Sequence, residues 1–134
     1  MANLKSFEEL ECWKAGKELR VFVSKLTKRF PLDERYALTS QIKRSSRSVT
    51  NNIAEGYGRF HFQENIQFCR QGRGSLYETL DHLLIAKEEE YIDEPDLIVG
   101  RQLIEKTTTI LNGYINYLSE AKKKSLRVDT DPTN

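Results

Sequence analysis

Between Cys12 and Leu26 the apolar residues recur at alternating steps of three and four: Cys12, Ala15, Leu19, Phe22, Leu26. That spacing lays them along one stripe of an α-helix, and it predicts a first helix over residues 7–29. Ser6 followed three residues later by Glu9 reads as a capping box, in which the Ser oxygen accepts a backbone N–H and the Glu reaches back to the cap. Phe30-Pro31 ends the helix, because proline disfavours helical backbone at the residue before it. A second helix is predicted over 34–55, with Asp33 as N-cap and a stripe of Leu38, Ile42, Ser45/Ser46, Val49 and Ile53. Gly56-Tyr57-Gly58 is expected to close it, since Gly adopts the left-handed C-cap conformation cheaply. After a polar link at 59–61, a third helix over 62–90 carries Cys69, Leu76, Leu80, Leu83 and Leu84. Asp93-Glu94-Pro95-Asp96 then breaks the pattern and starts a fourth helix over 95–123. Its stripe is Leu97, Ile104, Thr107, Leu111, Tyr114, Leu118 and Ala121, in heptad-like steps.

No segment reads as a strand. Four helices of roughly 20 to 30 residues with short links predict an all-α protein, an antiparallel up-down-up-down four-helix bundle. The bundle is expected over 1–123, with crossing angles of about 20°, followed by a polar tail at 124–134 expected to be disordered. A chain of 134 residues and 15.6 kDa makes a single core. Gly72 and Gly74 interrupt helix three, where each Gly costs on the order of 1 kcal/mol relative to Ala. With Ser75 they form a smooth patch, and Ser45 and Ser46 form another on helix two. Two readings stay open: close contact between helices, or a surface where another chain or a ligand approaches the backbone.

Composition narrows the chemistry. The chain is 38% hydrophobic and 31% charged, too apolar and too periodic for a disordered chain. No stretch approaches the roughly 18 apolar residues of a membrane span. The start of the chain lacks an apolar signal core, and two cysteines make no disulfide scaffold, so a cytoplasmic protein is expected. Cys12 and Cys69 form no Cys-x-x-Cys pair, and zinc would need three or four closely spaced N/S ligands. Glu78 and His82 have the wrong spacing for a di-iron motif. Gly56-x-Gly58 follows a helix and lacks the Lys-Ser/Thr ending of a phosphate loop. We therefore expect no enzyme, no cofactor, no metal, no membrane partner and no small-molecule substrate. A catalytic alternative would need a pocket lined by His82 and carboxylates.

The net charge is +1, but it is unevenly spread. Residues 41–75 hold six Lys/Arg against two acids, while 76–105 hold nine acids against two bases. Arg44, Arg47 and Asn51 fall at i, i+3, i+7 on one helix face, with Lys43 beside them. Arg59 and His61 follow the helix, and Arg70 and Arg73 lie on the next. Guanidinium groups pair bidentately with phosphate oxygens, and such contacts produce salt-dependent affinity for nucleic acid. Tyr57, Phe60 and Phe62 interleave with this charge as stacking platforms for unpaired bases. The other reading is a solvated face with salt bridges between subunits; a charge cluster alone does not separate the two.

Several segments together resemble a known family: Phe7-Glu8-Glu9-Leu10 with Trp13-Lys14-Ala15; Tyr36-Ala37-Leu38-Thr39-Ser40-Gln41-Ile42; Asn52-Ile53-Ala54-Glu55-Gly56-Tyr57-Gly58-Arg59; and Gly74-Ser75-Leu76-Tyr77-Glu78. They are similar to the four-helix-bundle proteins encoded in intervening sequences of bacterial 23S rRNA genes. More distantly, the chain resembles the accessory protein of diversity-generating retroelements, a pentameric barrel with a basic nucleic-acid-binding surface. The resemblance implies an antiparallel bundle assembled as a homopentamer, with no catalytic residues. The chain departs from the family at Ser48-Val49-Thr50, where a proline is usual, and helix two is expected to be straighter for it. The run Arg70-Gln71-Gly72-Arg73 is also more basic than the family's apolar stretch.

The expectation is a non-enzymatic homo-oligomer that binds structured RNA or another nucleic acid through Lys43, Arg44, Arg47, Arg59, Arg70 and Arg73. Asn52, Glu55, Gly56 and Gly58 are its structural motif near the helix end. The alternative is a protein-interaction scaffold whose basic face is consumed in ring assembly.

Overall fold

The predicted stripes become the seams of four helices in a computed structural model that describes residues 6–130, with side chains as far as Leu126. The helices are α1 (Glu11–Leu26), α2 (Leu38–Gly58), α3 (Phe62–Glu88) and α4 (Glu94–Thr130). Single 3-10 turns at Phe7–Glu9, Thr27–Arg29 and Leu32–Glu34 supply the connections around α1. There is no strand among the described residues, and none of their helices is long and apolar enough to cross a membrane.

Cross-helix contacts establish the direction of each neighbour. Between α2 and α3, Ser45 meets Thr79 and Ser48 meets Ser75. Later residues of one helix thus face earlier residues of the other, which is antiparallel packing. The same holds between α3 and α4, where Arg73 meets Asn112 and Asn65 meets Tyr114. Glu18–Lys106, and Arg29–Asp96 from the turn that follows α1, repeat it between α1 and α4. The fold is therefore an up-down-up-down bundle with α1 flanked by α2 and α4. Leu19, Val23, Ile42, Val49, Ile53, Leu76, Leu83 and Leu111 are wholly buried between the four.

The seam between α2 and α3 is polar and tight. Ser45 Oγ lies 2.8 Å from Thr79 Oγ1, and Ser75 Oγ donates to Ser48 Oγ at 2.9 Å. Thr79 also donates to the Ser75 carbonyl at 2.8 Å, so its buried hydroxyl has a partner on each side. A Cβ added at Gly72 would sit 3.4 Å from the Val49 carbonyl oxygen. The small residues of the two helices thus meet each other, and Gly72 is buried on this seam, although a methyl there would make only ordinary contact. Gly74 is different: it is exposed, and a Cβ there would meet nothing within 4 Å. Gly74→Ala is expected to raise stability by about 0.5–1 kcal/mol through helix propensity alone. A urea melt that shows no gain would mean the site is constrained by something outside this chain.

Helix ends differ from the sequence expectation in instructive ways. The first helix breaks at Leu10, which is extended, so residues 7–9 form their own turn. Ser6 Oγ accepts from the Glu8 amide rather than joining Glu9 in a capping box. A reciprocal cap is built instead at α4, where the Asp96 amide donates to Asp93 Oδ1 and the Asp93 amide donates to Asp96 Oδ2. Helix α2 begins at Leu38, four residues later than expected, because residues 32–34 take a 3-10 turn. Its first amide is satisfied by Glu34 Oε1 at 3.3 Å, not by Asp33. The other Glu34 oxygen accepts from the Tyr91 hydroxyl at 2.8 Å, and that carboxylate pushes Tyr91 up to about 12. Gly56 and Gly58 remain inside α2, and the left-handed residue is Phe60 at φ 57°. Helix α4 runs to Thr130, so residues 124–130 of the tail expected to be disordered at 124–134 are helical; residues 131–134 lie outside the described residues.

One ion pair makes the bundle sensitive to acid. Burial raises Asp96, but the Arg29 guanidinium 2.6 Å away and the hydrogen bonds with Asp93 outweigh it and hold the carboxyl below its usual range. A lowered folded-state value adds stability that is present above the ordinary Asp value of about 3.9 and is lost as pH falls below it. Melting temperature should therefore fall more steeply below about pH 4 in the parent protein than in Asp96→Asn. Parallel acid profiles would exclude this pair as a source of acid sensitivity.

Candidate nucleic-acid interface

The helical period puts Lys43, Arg44, Arg47 and Asn51 on the side of α2 that leans toward α1. Ser40, Lys43, Arg44, Arg47 and Asn51 line one shallow hollow there. Arg47 also borders a second hollow with Arg20, Val21, Ser24, Lys25 and Lys28. It borders a third with Phe7, Trp13, Arg20, Thr50, Asn51 and Ala54. Arg47 is thus the hinge of a continuous cationic face shared by α1, the turn after it, and α2. None of the residues lining these three hollows is acidic. Among the described residues, Lys43, Arg44 and Arg47 have no carboxylate within 4 Å. Arg44 and Arg47 are exposed and Lys43 is half-buried.

Arg20, Lys25 and Lys28 were missed by the reading of residues 41–75 alone. A signal was there: Lys17, Arg20, Ser24 and Lys28 fall at helical spacing opposite the stripe of Cys12, Leu19 and Leu26. Arg20 is also positioned, its Nε donating to Thr50 Oγ1 at 3.2 Å across the α1–α2 seam. Gly16 permits that close seam, since a Cβ there would lie 3.0 Å from Thr50 Cγ2.

The remaining expected cations lie elsewhere. Arg59 pairs with Glu55 at 3.2 Å and Glu64 at 3.9 Å, and its guanidinium lies 5.1 Å from the Phe68 ring centre. Arg73 donates to Asn112 Oδ1 at 2.7 Å, which turns it toward α4. Arg70, three residues before it on the same face, is exposed on that side as well. The six cations expected to act together are therefore split between two sides and one end of the bundle. Asn52 donates to the Ser48 carbonyl at 2.8 Å, a turn back within α2, rather than serving the carbonyls at the helix end. Glu55 is exposed and partners Arg59. Gly56 is buried under Asn65 and Phe68, and Gly58 is open.

The groups named for other chemistry are also accounted for. Burial pushes the thiols of Cys12 and Cys69 up to about 12, so both are protonated at neutral pH and weak as nucleophiles. His82 is buried, with Nε2 3.2 Å from Glu78 Oε2. Among the described residues, no three His, Cys, Asp or Glu side chains come together where they could hold a metal ion.

A family model described as the 23S rRNA-intervening sequence protein matches residues 8–113, from the first turn to the middle of α4. The chain belongs to this family. The match spans both helices of the cationic face and all of α3, and ends within α4. No curated protein is found to match the chain. The family's name ties its members to ribosomal RNA genes and carries no statement about a binding surface.

Proposed function

We propose that this family member is a non-enzymatic, homo-oligomeric bundle that binds structured RNA or another nucleic acid through the α1–α2 face. One observation carries the reading: Lys43, Arg44 and Arg47 stand beside Arg20, Lys25 and Lys28 with no acidic residue lining the hollows between them. Uncompensated cations packed this closely repel one another, and a polyanion relieves that repulsion while releasing its own counterions. Arg59 and Arg73 already have partners within the chain, so the α1–α2 set takes precedence over them. Titration of a labelled RNA hairpin at several salt concentrations tests the reading. A log–log slope of at least about 3 is expected if four or more phosphates are engaged. Binding that is weak at low salt and flat against salt would reject it.

A scaffold is the second reading, favoured by the opposite side of the molecule. There Tyr77 is exposed on α3 next to Glu78 and shares a shallow hollow with Glu105 and Arg101 of α4. A contact between the acids of that side and the cationic face of another copy would be head-to-tail, and such contacts form a ring when the rotation closes. Arg47→Glu discriminates the two: a scaffold loses its assembly in light scattering, whereas an RNA-binding face loses RNA and keeps its mass.

A further inference from the structure

Of the three hollows on the cationic face, one is unlike the others because it has an aromatic wall. Trp13 and Phe7 line it on one side, Arg20 and Arg47 supply guanidinium groups, and Asn51 supplies an exposed amide. Its volume of about 350 Å³ falls in the range of small-ligand sites, about 300 to 1,000 Å³. The indole is fixed in place. Phe7 meets it edge-on with ring centres 5.4 Å apart, and Lys17 Nζ and the Arg20 guanidinium each lie over the ring, 5.7 Å from its centre, so a base that stacks there takes the place of one of them. Arg20 is in turn held by Thr50. A half-buried aromatic ring flanked by cations and an amide has the parts of a nucleotide subsite: a surface for stacking, charges for the flanking phosphates, and a donor and acceptor for a base edge.

We infer that the hollow between Trp13 and Arg47 seats one unpaired nucleotide of a bound strand, its base stacked on the Trp13 indole and its phosphates on Arg20 and Arg47. The inference rests on the reading of the α1–α2 face as the nucleic-acid surface, and it adds a preference that charge alone does not create. A paired base is already stacked inside its duplex and cannot reach the indole. A duplex therefore meets only the cations, while a loop or a single strand meets both cations and ring.

The protein contains one tryptophan, so its emission reports on this hollow directly. The intact protein would be titrated at low salt with oligouridylate and, separately, with a blunt RNA duplex of equal phosphate count. Binding is followed in parallel by anisotropy of labelled copies of each RNA. Oligouridylate is expected to quench the Trp13 emission, and the duplex is expected to bind without quenching it. Trp13→Leu should lose about tenfold in affinity for oligouridylate and under twofold for the duplex. If both RNAs bind but neither quenches, the subsite is rejected and the cationic face stands. If neither RNA binds, the face is rejected and the subsite with it. The quenching measurement uses the unaltered chain, so an unstable Trp13→Leu protein leaves the question decided.

Discussion

Removing Arg44 and Arg47 together, by Arg44→Ala and Arg47→Ala, should weaken RNA binding by about tenfold or more at low salt. The same pair of changes should lower the salt slope by about 1.4 to 1.8, since each phosphate contact contributes about 0.7 to 0.9. Both side chains are exposed and make no ion pair within the described residues, so their loss leaves no buried charge behind. The melting temperature should hardly move, because surface substitutions of this kind change stability by about 0.5 kcal/mol or less. Arg59→Ala is the internal control. Glu55 and Glu64 compete for that guanidinium, and its removal should change RNA affinity by less than about threefold. A larger loss at Arg59 than at Arg44 and Arg47 would move the interface to the α2–α3 link.

Gly56→Ala is expected to destabilise the bundle by about 1 to 3 kcal/mol, the usual cost of overpacking a tight core. An added methyl would stand 2.8 Å from Asn65 Oδ1, 2.9 Å from Phe68 Cβ and 3.1 Å from the Asn65 carbonyl oxygen. Two of those atoms cannot yield by a simple rotamer change, because one is a backbone oxygen and one is a Cβ. The third belongs to an amide that donates from Nδ2 to the Tyr114 hydroxyl at 3.1 Å, so moving it disturbs the link from α3 to α4. The gain in helix propensity from Gly to Ala, about 1 kcal/mol, offsets part of this cost. Gly58→Ala has open space around its new methyl and should be close to neutral. Urea denaturation of the two variants separates the effects: Gly56→Ala should lower the midpoint and Gly58→Ala should not. Equal midpoints would mean that the α2–α3 seam has slack its geometry does not suggest.

The two glycines show where local reading stops. Sequence alone treats Gly56-Tyr57-Gly58 as a helix terminator, because glycine near a helix end commonly takes a left-handed conformation. Here the helix runs through both, and Phe60 takes the positive φ although its side chain is strained there. Gly56 is needed for closeness to α3, a demand made by residues that come nine and twelve positions later. The first capping box failed for a related reason: Leu10 is extended and buried, so the chain leaves the helix after Glu9 and the Ser6 oxygen takes the Glu8 amide within a single 3-10 turn. Asp33 likewise lost the α2 cap to Glu34, whose carboxylate can reach Leu38 only because a 3-10 turn intervenes.

What the chain dictates unaided is whatever depends on a few neighbouring residues. The 3.6-residue period sorts each helix into a buried stripe and a wet one, and that sufficed to foresee four helices, much of their core and the shared face of Arg44, Arg47 and Asn51, though not buried Val23, Ile66 and Ile115. Which wet stripes lie side by side is settled only in three dimensions. Packing α1 against α2 joined Arg20, Lys25 and Lys28 to Arg47 and put Trp13 at the edge of their hollow. Packing α3 against α4 withdrew Arg73 to Asn112. The physical reason is range: helix formation is decided over about four residues, whereas charge pairing and stacking act between groups that the chain separates by tens of residues and the fold brings within a few ångströms.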